Sequence, residues 1–370
     1  MILHLQRHFT AVTETFIANQ INALAHMNPV VFTIKNKKNL KVNAQIHTPD
    51  SNSLFSSKFL SKASATLFKE ILKTDSPAVI HSHYLTDAGY FHPFTRGYKI
   101  PKICSCYGYD VSAFPRKYGW FARKYFKRVF KEYDLFLAMS NDMKNDLISL
   151  GCDPNKISIH YHGINTKDFD IDRTYRRNDT FNLLTIASLS ARKGHLLVLD
   201  AIRTVKEIEP SINLTYTIVG NGDLKSELQK FVSKNALENI VSFQPETPHG
   251  TEFNSFLLNA DVFVHPSTTT KTGDKEGIPG TIAEAMTSGL PVISSYHAGI
   301  PNIIENNKTG FLIKENDTVD LANKILLLYY NPELRARIGR KAKEYARLNL
   351  DMFLKAKDLE KIYKSCLQRN

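Results

Sequence analysis

Short apolar, β-branched runs alternate with helical stretches along the chain, the pattern of parallel sheets built from βαβ units. In the first half the predicted strands are residues 2–6, 30–35, 77–81, 101–105, 134–139 and 156–160. In the second half they are residues 181–187, 214–219, 240–243, 261–265, 291–294 and 310–313. After residue 317 apolar positions recur at helical spacing. The sequence therefore predicts an α/β protein.

A polar, charged stretch around residues 165–180 interrupts this pattern. A chain of 370 residues suits two domains. We expect Rossmann-like, doubly wound domains at 1–168 and 181–349, joined by a linker at 169–180. A C-terminal helix at about 350–370 can pack back on the first domain. Two such domains facing each other would form a central cleft lined by the carboxyl ends of both sheets, where these folds bind ligands.

No apolar run reaches the roughly 18 to 20 residues that a bilayer span needs, and residues 1–7 lack the order of a signal peptide. A cytoplasmic protein is therefore predicted. The four cysteines show neither a CxxC pair nor zinc-knuckle spacing, which favours free thiols in a reducing compartment.

The net charge of +12 indicates an anionic partner: nucleic acid, an acidic membrane surface or a phosphorylated substrate. Ten Lys and Arg residues lie between positions 96 and 131, and residues 115–130 interleave cations with aromatic side chains. Such a helix can lie on an anionic membrane at the inner face of the plasma membrane. An amphipathic domain helix with a solvated basic face is an equal alternative.

The segment Gly273–Met286 begins as a loop punctuated by glycine and proline and becomes a helix near Gly280. Its backbone N–H groups and the helix N-terminus favour a phosphate ligand. Glu276 and Glu284 would repel phosphate, so if they face a ligand they should accept hydrogen bonds from hydroxyl groups. Taken alone, each position favours a solvated glutamate over a ligand contact.

These two glutamates, together with Ala260–Ser267 and Gly289–Ile293, resemble glycosyltransferase family 4, retaining group 1 enzymes of GT-B fold. The resemblance covers most of the second domain. It implies a hexosyltransferase that moves a hexose or a derivative from a nucleotide diphosphate sugar to a glycan or lipid-linked acceptor in bacterial surface polysaccharide biosynthesis. Glu276 would contact the transferred sugar and Glu284 the ribose. The donor-binding loop would comprise Gly277, Ile278, Pro279 and Gly280.

Arg192 and Lys193 follow the first strand of the second domain, at a turn suited to a diphosphate whose charge rises as the glycosidic bond breaks. A solvated helix start is the alternative. The family's usual arginine lies five residues before the lysine, where this chain has Ser188. We expect Arg192 to take over its role.

Gly220 and Gly222 form a second glycine turn after a strand. The third glycine of a dinucleotide fingerprint is missing, because Lys225 occupies its place, so NAD binding is not expected. By the family resemblance, this turn borders the donor.

The acceptor-side candidates lie in the first domain. Thr13 and Glu14 belong to a segment similar to the Ser/Thr-Glu-Thr-Phe signature of polysaccharide-assembling members of the family. An ordinary helix start, with Thr13 as its cap, is equally possible. His81 and His83 share one side of a strand; without a third ligand, a hydrogen-bonding or core role is favoured over metal binding.

Residues Cys106–Asp110 resemble the His-Gly-Tyr-Asp turn of the family, with Tyr107 in place of the histidine and Asp110 retained. A phenol can hydrogen-bond a sugar hydroxyl but is a poor general base near neutral pH. In a retaining enzyme the departing phosphate oxygen can itself accept the acceptor's proton.

The residues 170–172 match an Asp-x-Asp metal motif, but they lie in the predicted linker, so no essential metal and no cofactor are expected. A sugar-nucleotide epimerase of the same architecture is the second candidate. A basic nucleic-acid-binding module is less favoured because the sequence carries no RNA- or DNA-binding motif, and no nucleic-acid partner is expected.

Overall fold

The computed structural model describes residues 1–9, 15–49, 62–175 and 179–368. The chain divides into two compact units, one of residues 1–163 and 352–370 and the other of residues 164–351. Each unit contains one sheet whose strands are all parallel. The predicted α/β class is therefore confirmed.

The sheet of the first unit has seven strands in the order β3-β2-β1-β4-β5-β6-β7. They are β1 (Ile2–Phe9), β2 (Pro29–Asn36), β3 (Gln45–His47), β4 (Val79–His83), β5 (Lys102–Ser105), β6 (Leu135–Ala138) and β7 (Ile157–Ile159). Six coincide with predicted strands. The edge strand β3 was not predicted, because its three residues are too short and too polar to give a strand pattern.

Helices cover this sheet. They are α1 (Thr15–Ala23), α2 (Lys62–Thr74), α3 (Leu85–Thr95), α4 (Ala113–Glu132) and α5 (Asn141–Ser149). Leu5 and Phe32 of the sheet are buried against Phe68 of α2 and Phe91 of α3. This apolar layer fixes the strands whose carboxyl ends carry the acceptor-side candidates.

The sheet of the second unit has six strands in the order β10-β9-β8-β11-β12-β13. They are β8 (Phe181–Ile186), β9 (Leu214–Val219), β10 (Val241–Gln244), β11 (Val262–His265), β12 (Val292–Ser295) and β13 (Phe311–Ile313). The helices are α6 (His195–Ile208), α7 (Lys225–Lys234), α8 (Thr251–Asn259), α9 (Gly280–Thr287), α10 (Thr318–Tyr330) and α11 (Pro332–Asn349). Because parallel strands end at one sheet edge, the loops after β8, β9 and β11 bring the donor candidates together.

The last helix, α12 (Met352–Gln368), belongs to the first unit. Its Leu359 and Tyr363 are fully buried against Ile2 and Val79 of the sheet. The Tyr363 hydroxyl also lies 2.6 Å from His81 Nδ1.

The start of the stretch predicted as a linker is held by the second unit. Arg173 donates hydrogen bonds to the carbonyl oxygens of Leu257, Leu258, Ala260 and Ser288. A largely buried guanidinium needs such acceptors, so this segment is fixed rather than freely extended. The boundary between units falls at Gly163, five residues before the predicted one at residue 168.

In the described part of the chain, no helix combines the length and the hydropathy needed to cross a bilayer.

Candidate functional site

The cationic turn of the second unit is built by close backbone packing. Arg192 and Lys193 end a short 3-10 helix, and Gly194 follows with a φ of +72°. A Cβ at Gly194 would lie 2.0 Å from the Pro266 carbonyl oxygen, so only glycine fits here. Thr268 N also donates to the Arg192 carbonyl oxygen at 2.9 Å. The turn is thereby locked against the loop that follows β11.

The glycine turn after β9 packs against the loop after β8. A Cβ at Gly220 would lie 2.0 Å from the carbonyl oxygen of Ala187, and one at Gly222 would lie 2.6 Å from that of Leu189. Both glycines have a strongly positive φ, of 148° and 155°. They allow the backbone of this turn to approach the loop after β8, which carries the two cations.

Arg192 and Lys193 converge on one carboxylate. Arg192 Nε lies 2.6 Å and Lys193 Nζ 3.0 Å from Glu276 Oε1, and Arg192 Nη1 donates to Asp274 at 2.9 Å. The side chains of Lys193 and Glu276 are only 12% and 10% exposed. The structure thus brings the three predicted catalytic residues together. The hydroxyl of Ser188, at the position of the family's usual arginine, lies 3.4 Å from the hydroxyl of Ser190.

A histidine that the sequence analysis missed orients the Glu276 backbone. Glu276 N donates to His297 Nε2 at 3.0 Å, and His297 Nδ1 lies 2.7 Å from Glu315 Oε1. Because Nε2 accepts, the proton of the neutral ring is on Nδ1, which donates to Glu315. These two hydrogen bonds fix the start of the loop that leads to α9.

Residues Gly277, Ile278 and Pro279 connect Glu276 to α9, which begins at Gly280. The Gly277 carbonyl oxygen accepts from Gly299 N at 3.1 Å. Ile278 is partly exposed and Pro279 is buried. The predicted loop-to-helix transition is therefore present at the predicted residue.

Glu284 lies one turn inside α9 and is 5% exposed. Its Oε1 is 3.3 Å from His249 Nε2, and its Oε2 has no hydrogen-bond partner among the described residues. This pairing raises the pKa of His249. A cavity of about 630 Å³ is lined by His249 and Phe169, among others, but Glu284 does not line it. One oxygen of this buried carboxylate therefore lacks a hydrogen-bond donor among the described residues.

Two further buried polar atoms near the cations have no hydrogen-bond partner within the described residues. They are His265 Nε2, at the end of β11, and Ser267 Oγ. Burial lowers the pKa of His265 well below its usual value, so its ring is neutral. Unsatisfied buried groups are rare in folded proteins, and these two near the cations are compatible with a site for a polar ligand.

In the first unit His83 and Tyr107 are in direct contact. His83 Nδ1 lies 2.7 Å from the Tyr107 hydroxyl, and His83 Nε2 lies 3.0 Å from His4 Nδ1. Burial raises the pKa of Tyr107 well above its usual value. The phenol therefore stays protonated and can donate or accept hydrogen bonds, but it does not serve as a base.

Asp110 holds the turn that carries Tyr107. Its buried carboxylate accepts from the backbone N–H groups of Tyr107, Gly108 and Leu85 at 3.1, 3.0 and 2.7 Å. Asp110 therefore ties this turn to the start of α3. Thr13 and Glu14 lie outside the described residues.

His4 supplies the third histidine that the sequence analysis could not place. One ring nitrogen from each of His4, His81 and His83 lies within 4.8 Å of the others, which is compatible with a metal ion. However, both nitrogens of His81 already face hydroxyls, those of Tyr363 and Ser105. A hydrogen-bonded network satisfies these rings without an ion.

Two family models cover nearly the whole chain. "Glycosyltransferase Family 4" matches residues 13–168, and "Glycosyl transferases group 1" matches residues 166–345. The chain is 35% identical to the amylovoran biosynthesis glycosyltransferase AmsK of Erwinia amylovora over 209 residues, which are 56% of this chain and 50% of AmsK. The chain spans about half the length of the first curated relatives it matches.

Solved structures agree in fold. HepE of Anabaena, crystallised with UDP, superposes with a TM-score of 0.79 at 16% identity, covering 98% of this chain and 99% of HepE. The lipopolysaccharide outer core galactosyltransferase WaaB superposes with a TM-score of 0.73 at 17% identity, covering 96% of this chain and 97% of WaaB. The predicted GT-B fold is confirmed by these likenesses and by the two parallel sheets. The chain belongs to the group 1 glycosyl transferases of glycosyltransferase family 4.

Proposed function

We propose that this chain is a retaining hexosyltransferase that uses a nucleotide diphosphate sugar, with a UDP-hexose as the first candidate. The observation that carries the proposal is the convergence of Arg192 and Lys193 on Glu276, in the loop that leads to α9 and its buried Glu284. HepE has been crystallised with UDP-glucose, which supports a uridine nucleotide. AmsK, a protein of amylovoran biosynthesis, supports a role in bacterial surface polysaccharide assembly.

The cations are suited to the diphosphate. In the ligand-free arrangement Glu276 and Asp274 together neutralise the two cations. A diphosphate would replace Glu276 as the partner of these cations. The Glu276 oxygens could then accept hydrogen bonds from the hydroxyls of the sugar. Glu284 Oε2 would accept a hydrogen bond from the ribose diol.

Transfer then needs little beyond charge stabilisation. The bond between the anomeric carbon and the phosphate oxygen breaks, and the acceptor oxygen forms a new bond to the same face of that carbon. The acceptor's proton passes to the departing phosphate oxygen. Arg192 and Lys193 stabilise the negative charge on that phosphate, which is the role of preorganised cations in such reactions.

The first unit would recognise the acceptor, a glycan or a lipid-linked sugar. Tyr107 is held by His83 and by the turn that Asp110 organises, and we assign its side chain to contact with the acceptor sugar. Because its pKa is raised, this proposal assigns it binding rather than proton abstraction.

A thermal-shift panel of UDP-, GDP- and ADP-sugars tests the donor assignment. We expect one nucleotide class, UDP, to raise the melting temperature of the wild type, and the shift to be lost in Lys193→Ala and Glu284→Ala. Lys234→Ala, which removes an exposed lysine of α7, is the matched control and should keep the shift. An unchanged shift in both site variants would overturn the assignment.

The reaction type has a separate test. The anomeric configuration of the transferred hexose, read from proton coupling at the anomeric carbon, should match that of the donor. Return of the donor with an inverted ring hydroxyl and no need for an acceptor would instead identify an epimerase.

A further inference from the structure

The exposed face of α4 carries cations and large aromatic side chains together. Trp120 is 73% exposed and Phe121 is 52% exposed, although both side chains are large and apolar. Single exposed apolar residues are ordinary, but two adjacent aromatic residues on a helix form a patch that needs an explanation.

The patch sits within a strongly basic surface. Seven exposed cations lie on α4: Arg116, Lys117, Arg123, Lys124, Lys127, Arg128 and Lys131. The sequence from Ala113 to Lys131 contains no Asp or Glu to balance them. Lys124 Nζ also lies over the Trp120 ring, 5.9 Å from its centre.

Helical spacing puts the main cations on the same side as the tryptophan. Lys124, Lys127 and Lys131 follow Trp120 by four, seven and eleven positions, so they line one face. The opposite face, with Ala122, Phe126 and Val129, is buried in the first unit. The outward face is therefore not needed for the core.

We propose that this face of α4 binds an anionic lipid surface. Lysines on the outward face would contact phosphate headgroups, while Trp120 and Phe121 enter the boundary between headgroups and acyl chains. The backbone turn at Gly119, with a φ of 49°, interrupts the helix directly before this aromatic pair.

The composition favours a membrane over a nucleic acid. From Ala113 to Glu132 the helix has no Ser, Thr, Asn or Gln, the side chains that commonly hydrogen-bond base edges and sugar hydroxyls. Charge complementarity alone would suit either polyanion, but adjacent Trp and Phe among lysines are the pattern of interfacial helices.

Binding to a lipid surface also indicates the class of acceptor for the proposed function. Phe114 N, in the first turn of α4, donates to the Tyr109 carbonyl oxygen, so the helix is joined directly to the turn of Tyr107 and Asp110. An acceptor carried on a membrane lipid would thereby be presented to the acceptor-side turn. This step, unlike lipid binding itself, rests on the proposed function.

Flotation of the full chain with lipid vesicles tests the inference, without donor or acceptor. We expect binding to vesicles of phosphatidylcholine with phosphatidylglycerol at low salt, weaker binding at high salt, and little binding to phosphatidylcholine alone. Each lysine near an anionic surface contributes about fivefold in partitioning. The double variant Lys124→Ala with Lys127→Ala should therefore lower partitioning into these vesicles roughly 25-fold.

The aromatic pair is tested separately. Trp120→Ala with Phe121→Ala should lower partitioning about tenfold or more, because the apolar area that enters the lipid is lost. The matched controls lie on α11: Arg337→Ala with Lys341→Ala removes two exposed cations, and Leu348→Ala removes a side chain that is 65% exposed. The controls should bind as the wild type does.

Three results would overturn the inference: no flotation with anionic vesicles at low salt, equal losses in the α4 variants and the α11 controls, or binding of an RNA oligonucleotide without binding of vesicles. The donor thermal shift keeps the two proposals apart. Flotation without a donor shift would refute the proposed function alone, and a donor shift without flotation would refute lipid binding alone.

Discussion

Removal of the Lys193 ammonium group should damage turnover far more than stability. Its Nζ lies 3.0 Å from Glu276 Oε1, in a place where both side chains are mostly buried. Two unit charges at about 3 Å attract by about 5.5 kcal/mol at an effective dielectric constant of 20. If about half a unit of negative charge develops on the departing phosphate at this distance, Lys193 stabilises the transition state by about 2.8 kcal/mol, a factor on the order of 100 in rate.

Stability should change little in Lys193→Ala, because Glu276 keeps Arg192 Nε at 2.6 Å and is not left unpaired. We expect a loss of about 1 kcal/mol in the free energy of unfolding, measured by urea denaturation. The rate is followed as UDP release from UDP-glucose with water in place of the acceptor, and Lys234→Ala is the control. A kcat within about threefold of the wild type would refute the charge-stabilisation argument.

Three further predictions concern the supports of the site. Gly220→Ala should lower the free energy of unfolding by about 2 kcal/mol in urea, since its Cβ would lie 2.0 Å from the Ala187 carbonyl oxygen; an unchanged midpoint would contradict the packing. Tyr107→Phe should destabilise by about 1 kcal/mol, because His83 Nδ1 loses its partner, yet keep UDP release within about tenfold; a loss of a thousandfold would show that the phenol does chemistry. The raised pKa of His249 means that its pairing with Glu284 stabilises the fold below the unfolded pKa and that this contribution is lost as pH rises through the folded pKa. His249→Gln should therefore lower the free energy of unfolding more at pH 5.5 than at pH 9. Donor affinity should rise with pH in the wild type but not in this variant. Equal losses of stability at the two pH values would contradict the pairing.

Much of the fold could be predicted from the sequence because buried parallel strands consist of short apolar runs. The strand β8, Phe181–Ile186, is one example, and the loop that follows it carries the cationic turn. The edge strand β3 has no such apolar run. Its pairing with β2 depends on tertiary structure rather than on a local sequence pattern.

The site was predicted unevenly for a similar reason. Arg192, Lys193 and Glu276 could be named, but their shared contact is a distance that only folding reveals. His297 was missed because its support for Glu276 crosses 21 positions of sequence. The register of β1 on β4, which sets His4 beside His81, explains the third histidine, and a histidine within an apolar strand was the signal that could have found it.

Asp110 shows a limit of inference from motifs. Its position in the turn suggested a contact with the acceptor, whereas its carboxylate is occupied by three backbone N–H groups. A short acidic side chain after a strand often organises its own turn, and sequence alone does not separate that task from ligand binding.

The most direct test of the central claim is a crystal structure of the chain soaked with UDP-glucose. The account predicts electron density for the diphosphate about 3 Å from Lys193 Nζ and from the Arg192 guanidinium, with the ribose hydroxyls on Glu284. Density for the nucleotide elsewhere on the second unit, with the ion pairs of Glu276 intact, would contradict it.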